Sequence, residues 1–259
     1  MAILIGWWRS STSRRISVAA LIRPPVRMAH SPVAVVRVLA PYSPRGNRKG
    51  LKMLEIRLSE GLRTATPADW KQLGSITAEA FYEDPVNLWI FGNTRTMPPV
   101  FSELARSVYL PRGICHIHGD SGATMWAHSA QRRELNNLQT MRVVWSLLTK
   151  GEKGAAKRGL GAGEAMAREH PAAPHMYLFT IGTRKAARGQ GLGKQLIRPM
   201  LDAADRAALP CYLENSNPAN TGFYVSHGFE RMKMFELGPG SPPMEAMWRE
   251  PRSMTASSE

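Results

Sequence analysis

Two hydrophobic periods alternate along the chain from residue 54 onward. Residues 54–58 have the apolar run of a strand, continued by Gly61-Leu62-Arg63. Trp70, Leu73, Ile76 and Ala80 then recur near every 3.6 residues and predict a helix. Thr66-Pro67-Ala68-Asp69 supplies its start: a capping hydroxyl, a proline in the first turn and an acid at the positive end of the dipole. That helix ends near Tyr82-Glu83-Asp84-Pro85, residues 87–91 form a short turn, and Gly92-Asn93 closes it. A second helix is predicted over 100–109 and is stopped by Pro111-Arg112-Gly113. Residues 114–118 and 123–127 read as a hairpin across Gly119-Asp120-Ser121-Gly122. Residues 131–149 are predicted helical, with Leu135, Leu138, Val144 and Leu148 facing the core, and the Gly-, Lys- and Ala-rich stretch 150–163 is expected to be a loop before a short helix at 164–169.

The pattern is denser from His175. It gives a strand over 175–181, a helix over 191–207, a parallel strand over 209–213, a short helix over 218–226 and a strand over 229–236 that pairs with 244–248. Strand, crossover helix, strand is a βαβ unit, so the fold class is α/β. The helix at 191 opens on Arg188-Gly189-Gln190-Gly191-Leu192-Gly193. The first N–H groups of a helix lack intrahelical partners, and such a turn can hold a pyrophosphate. The glycine order matches neither the dinucleotide fingerprint nor a Walker loop. Arg184, Lys185, Arg188, Lys194 and Arg198 crowd the turn, although cations oppose the dipole there; a polyanion bound at this point makes sense of them.

The net charge of +14 invites a nucleic-acid reading, but ten of the 34 basic residues lie within 1–54, which has no acid at all. The remaining 24 are set against 20 acids, so the charge belongs to the N-terminal segment rather than to a folded face, and nucleic acid is not the expected partner. Residues 1–53 are expected to lie outside the core, as a basic disordered extension, an Arg-rich organellar targeting segment or the product of an early start codon preceding Met53; 250–259 are expected to be a flexible tail. The apolar stretches of the segment are short and broken by Arg or Pro, which gives no membrane span, and the cytoplasm is the expected location. Cys115 and Cys211 fit neither a disulfide framework nor a zinc site. His116 and His118 share one strand face without further ligands, and no metal is expected.

The run 175–229 resembles the acetyl-CoA-binding core of the GCN5-related N-acetyltransferase (GNAT) superfamily, whose Arg/Gln-x-x-Gly-x-Gly/Ala pattern falls on Arg188, Gly191 and Gly193. Leu213-Glu214-Asn215-Ser216, then Asn220, Phe223-Tyr224 and Gly228-Phe229 are similar to the branch containing puromycin-type antibiotic acetyltransferases. Two positions depart from the family pattern: Thr183 and Lys185 stand where a hydrophobic residue and a proline are usual. The resemblance implies one GNAT domain over 54–249, with a mixed, splayed central sheet flanked by helices. It implies acetyl-CoA as cosubstrate, bound by Ile181, Gly182 and Thr183 along the pantetheine arm and by Arg188, Gly189, Gln190, Gly191, Leu192, Gly193 and Lys194 at the pyrophosphate, with Asn220 and Tyr224 nearby.

The implied reaction is direct acetyl transfer to a primary amine of a small molecule in a ternary complex. Tyr224 would protonate the thiolate, and Glu214 would collect or relay the amine proton or brace the turn after it. Glu83, Asp84, Trp126 and His175 are the candidate substrate contacts. An inactive acyl-CoA-binding regulator and a protein N-acetyltransferase remain alternatives, and monomer and homodimer both stay open.

Overall fold

The computed structural model describes residues 34–42, 50–131 and 135–253. Its elements run β1 (Ala34–Tyr42), β2 (Gly50–Leu58), β3 (Leu62–Thr64), α1 (Trp70–Ala80), α2 (Pro85–Phe91), α3 (Met97–Leu104), a π-helical turn (Ala105–Tyr109), α4 (Leu110–Arg112), β4 (Ile114–His118), β5 (Gly122–His128), α5 (Asn137–Lys150), α6 (Ala155–Glu169), β6 (Met176–Thr183), α7 (Leu192–Arg206), β7 (Cys211–Asn215), α8 (Thr221–Ser226), β8 (Glu230–Phe235) and β9 (Met244–Arg249). Seven strands form one mixed sheet in the order β3-β4-β5-β6-β7-β9-β8, in which only β6 and β7 run parallel.

Helices cover both faces. On one, α7 and β2 pack Leu196, Ile197, Met200, Leu54, Ile56 and Leu58 against Leu178, Leu213 and Trp126. On the other, α1 and the π-helical turn bury Leu73, Ile76 and Tyr109 over Cys115, Ile117 and Met125, and α2, α3, α5 and α6 form a neighbouring cluster around Ile90, Phe101 and Leu147. The mixed, splayed α/β sheet anticipated above is the observed architecture.

Three local expectations need correction. The stretch 150–163 is mostly helix, because α6 spans Ala155–Glu169. Its inner face is built from small residues: Ala155, Ala162 and Ala165 are buried, and a Cβ at Gly159 would press on Leu147 at 3.3 Å. Such a face lets two helices approach closely while giving little hydrophobic signal. On α5, Leu138 and Leu148 point to solvent, and Leu147 is the buried leucine. The 53/54 boundary falls inside a strand: β2 pairs in antiparallel register with β1, Ala34 opposite Leu58 and Tyr42 opposite Gly50, so part of the basic segment joins a hairpin whose Leu54, Ile56 and Leu58 reach the core. Residues 1–33 and 254–259 lie outside the described residues.

His116 and His128 sit in β4 and β5, and burial pushes both down to about 4. Both are neutral in the fold, and the His128 Nδ1 accepts the Ala130 N–H at 3.1 Å. Protonation therefore favours the unfolded chain. Stability is expected to be fully present above pH ~6.5 and to fall as pH drops toward about 4, by ~3 kcal/mol per histidine. Denaturant titrations between these pH values check this, and a His116→Leu variant should show a shallower acid slope; an unchanged slope would assign the loss to other groups.

Candidate active site

The site begins where two strands part. β6 and β7 pair only through Met176–Cys211, Tyr177–Tyr212 and Leu178–Leu213. Just beyond, the pairing of β6 with β5 slips by one residue: Trp126 faces Leu178 while Met125 faces Thr180, which leaves Phe179 as a bulge. A bulge bends its strand, and β6 turns away from β7 here. From Phe179 to Thr183 on one strand and at Glu214 and Asn215 on the other, the main chain facing the opening has no strand partner across it. An extended polar chain can pair with such an edge as a further strand would. Ile181, Gly182 and Thr183 lie along it, and Gly182 is required by packing, because a Cβ there would stand 2.3 Å from the Ala80 Cβ on α1.

The opening leads to the glycine-rich turn. After β6 the chain makes a 3-10 turn at Lys185–Ala187 and reaches Gly189 and Gly191 with φ of 78° and 75°. These left-handed values favour glycine, and neither position would be crowded by a Cβ, so backbone conformation is the constraint. Gly191 caps α7 without a side-chain bond. Among the described residues, no acceptor stands on the N–H groups of Gly189, Gln190, Gly191, Leu192 and Gly193. Five donors at a helix N-terminus are what a pyrophosphate needs.

The basic residues around the turn serve a different purpose from the one their sequence suggests. Arg184 bonds Glu79 at 2.6 Å and Asp120 at 3.1 Å, and Lys185 and Arg188 bond Glu83 at 3.1 and 2.8 Å. Arg188 also reaches the Ala80 carbonyl at the C-terminus of α1 at 3.4 Å, a favourable place for a cation. Hydrogen bonds from Arg188 and Lys185 hold the Glu83 carboxyl below its ordinary range, and Arg184 does the same for Glu79. Three cations and three carboxylates thus fasten the turn to α1, to the segment after it and to the β4–β5 turn. Lys194, exposed on the first turn of α7, is the cation of this group with no ion-pair partner among the described residues. Glu83 is bound to the turn and is not placed as an acceptor contact.

Asp84 is 4% exposed and caps α2, its Oδ1 accepting the Asn87 N–H and side-chain amide, both at 2.8 Å. Its Oδ2 accepts the Ser216 hydroxyl at 2.5 Å, which ties the loop after α1 to the residue that follows β7 at the opening. Burial raises the Asp84 pKa and outweighs these bonds. Tyr224, on α8, is 8% exposed; burial chiefly, and the Asp84 charge in addition, push its phenol well above the ordinary value. The phenol is therefore protonated at neutral pH. Its neighbour Phe223 lies against Gly193, where a Cβ would come within 3.2 Å of the ring, so α8 packs directly on the start of α7.

The other candidates stand apart. The Glu214 side chain is only 2% exposed: it accepts the Tyr177 hydroxyl at 2.6 Å and lies 3.5 Å from His170 Nδ1. It does not brace the 217–220 turn, where Asn217 caps instead by accepting the Ala219 N–H at 3.0 Å. Asn220 precedes α8 with an exposed side chain that makes no capping bond. His175 is wholly buried, with ring nitrogens 2.7 Å from the Ala173 carbonyl and 2.9 Å from His170. Trp126 is also wholly enclosed, in the cluster beneath α7, and lines no acceptor pocket. Ser216 is not singled out by sequence, since its buried partner Asp84 lies far along the chain.

Residues 138–229 match the acetyltransferase (GNAT) family. That match, together with the relative that follows, accords with an acetyl-CoA-dependent N-acetyltransferase activity. An uncharacterized N-acetyltransferase of Schizosaccharomyces pombe is 24% identical over 201 residues, covering 71% of this chain and 81% of the relative. Two solved structures share the fold. A Corynebacterium glutamicum protein described as histone acetyltransferase HPA2 and related acetyltransferase has a TM-score of 0.55 at 24% identity, over 75% of this chain and 97% of its own. Arylalkylamine N-acetyltransferase 2 of Aedes aegypti has a TM-score of 0.50 at 14% identity, over 74% and 98%. Among the described residues no group of three His, Cys, Asp or Glu side chains could hold a metal ion, and no helix is long and apolar enough to cross a membrane.

Proposed function

We propose that this protein transfers an acetyl group from acetyl-CoA to a primary amine of a small molecule, with Asp84 and Tyr224 as its proton-handling groups. The observation that carries this reading is a buried carboxylate bonded to Ser216, directly after β7, with a buried phenol on α8, the next helix along the chain, at the end of the sheet where β6 and β7 part. The exposed edge of β6 and the amide-rich turn at 189–193 suit pantetheine and pyrophosphate respectively, and Lys194 adds charge to the latter. Acetyl-CoA supplies the activated acyl group. Asp84, with its raised pKa and its Ser216 partner, suits an incoming ammonium: it holds the amine and takes its proton. The neutral nitrogen attacks the thioester carbonyl, the C–S bond breaks, the departing thiolate takes the Tyr224 proton, and the second proton released by the nitrogen as the amide forms restores the phenol through water. Holding both substrates in one opening contributes through positioning, and no covalent enzyme intermediate is required.

A small acceptor fits the enclosure of these groups: Asp84, Tyr224 and Ser216 are each less than one-tenth exposed. The resemblance of 213–229 to the puromycin-type branch points the same way. Calorimetric titration of acetyl-CoA tests the cofactor half of the proposal. Micromolar binding is expected for the wild type, with a loss of at least tenfold for Gly191→Trp, where a large side chain in a left-handed position displaces the amides. A folded wild type that binds no acetyl-CoA would overturn the reading. Thiol release across a panel of small amines, set against peptide amines, then identifies the acceptor class.

A further inference from the structure

Glu245 is 2% exposed on β9, and a carboxylate taken so far from water needs partners. It has three. Its Oε2 accepts the Thr221 hydroxyl at 2.6 Å and the Asn215 side-chain amide at 2.8 Å, and its Oε1 accepts Arg231 at 2.5 Å. Burial opposes ionisation, but Thr221, Asn215 and Arg231 together outweigh it, and the pKa lies below the ordinary carboxylate value. The ring of contacts is closed on itself: the Asn215 amide also reaches the Thr221 hydroxyl at 3.2 Å, and the Asn215 Oδ1 accepts the Asn217 N–H at 3.2 Å.

The places of the two neutral partners give the network its meaning. Asn215 is the last residue of β7, and the next residue, Ser216, is the one bonded to Asp84. Thr221 is the first residue of α8, and Tyr224 follows three residues later, about one helical turn. One buried carboxylate therefore fastens the end of the strand that presents the Asp84–Ser216 pair to the start of the helix that presents the phenol. Between these points the chain runs through Asn217 and a 3-10 turn, Pro218–Asn220, which alone would leave the two groups free to drift apart. Glu245 itself contacts neither Asp84 nor Tyr224 through any hydrogen bond among the described residues.

We propose that Glu245 is a positioning residue for acetyl transfer, setting the separation of the Asp84–Ser216 pair and the Tyr224 hydroxyl through Asn215 and Thr221. This rests on the reading above, in which those two groups handle the protons. The contact to Arg231, whose side chain is 52% exposed, supplies charge from outside and is the least important of the three for geometry.

The test compares Glu245→Gln, Thr221→Val and Arg231→Met with the wild type, as full-length protein. Amine acetylation is followed by thiol release, acetyl-CoA affinity by calorimetry and folding by circular dichroism. Glu245→Gln is expected to lower kcat by about 10- to 100-fold with acetyl-CoA affinity within about twofold, and to move the acid limb of the pH profile, since that limb reports the Asp84 environment. Thr221→Val, which leaves no uncompensated buried charge, is expected to lose kcat in the same direction, and Arg231→Met to lose much less. Loss of fold alone moves neither the pH limb nor the ratio of kcat to cofactor affinity among the molecules that remain folded. Wild-type kcat and an unshifted limb in folded Glu245→Gln and Thr221→Val would overturn the inference while leaving the acetyl-transfer reading in place. A wild type silent toward acetyl-CoA and every amine would overturn both.

Discussion

Replacing Asp84 by asparagine is expected to lower kcat/KM for the amine by about 10²- to 10³-fold, while acetyl-CoA still binds. Asparagine keeps the size; with its oxygen in the Oδ1 place it still accepts the Asn87 N–H, so the α2 cap survives, while its amide NH2 replaces the oxygen that accepted from Ser216 and can donate to that hydroxyl instead. What it loses is the negative charge that attracts an ammonium and the ability to take its proton. The pH dependence carries the sign of the argument. Burial raises the Asp84 pKa, so the wild type loses activity as pH falls through that raised value, because the carboxyl can no longer receive a proton. In Asp84→Asn the group that titrates is gone, and this acid limb should vanish from kcat/KM. Tyr224→Phe is the companion measurement: its loss should appear in kcat, because the phenol acts on a charge that develops as the thioester breaks. An Asp84→Asn enzyme with wild-type kcat/KM would remove Asp84 from the chemistry and send the search for a base elsewhere in the opening.

The parts of this site that could be read in the sequence are those made by neighbours in the chain. The turn at 188–193 is legible because its glycines, its preceding strand and its helix are contiguous, and the structure adds that Gly189 and Gly191 are left-handed. Tyr224 was legible through the pattern around it. Long-range pairing was not. Asp84 and Ser216 are 132 residues apart and Asn215 and Glu245 are 30 apart, and no local pattern ties a carboxylate to a partner at such distances. The charges near the turn show the same limit in a different form. Arg184, Lys185 and Arg188 look like an anion site when the sequence is read along the chain, but Glu79 on α1 and Glu83 just after it come to meet them, more than a hundred residues earlier. What the turn keeps unpaired is backbone N–H, and sequence reports it only as glycine. The first part of α6 reads as a loop in sequence, and only 164–169 as helix, for a related reason. Its buried residues are alanines, which carry little hydrophobic signature although they permit close helix approach.

Asp205→Ala is expected to destabilise the fold by ~3–5 kcal/mol, and this change lies well outside the proton-handling groups. Asp205 is on the last turn of α7 and Arg249 ends β9; the two meet in a bidentate pair with both bonds at 2.7 Å, and their side chains are only 9% and 4% exposed. Removing the carboxylate leaves the guanidinium buried with one carbonyl, that of His227, at 2.9 Å, and it also deprives the Arg252 N–H of its acceptor. The cost comes from the orphaned charge more than from the lost attraction, because desolvation offsets most of what a buried pair gains. That asymmetry gives the experiment a second arm. Asp205→Leu combined with Arg249→Met removes both charges and should recover most of the loss, whereas a simple loss of attraction predicts that the double variant is as unstable as the single one. Chemical denaturation of the three proteins separates these outcomes, and a cost below ~1 kcal/mol for Asp205→Ala would place the pair with weak surface bridges. Because the bond from Arg249 to His227 reaches the end of α8, the pair also holds the far side of the helix that carries Tyr224. The N-terminus of α7 is some 20 Å away along the helix by its rise per residue, so the folded fraction of the single variant should bind acetyl-CoA as the wild type does.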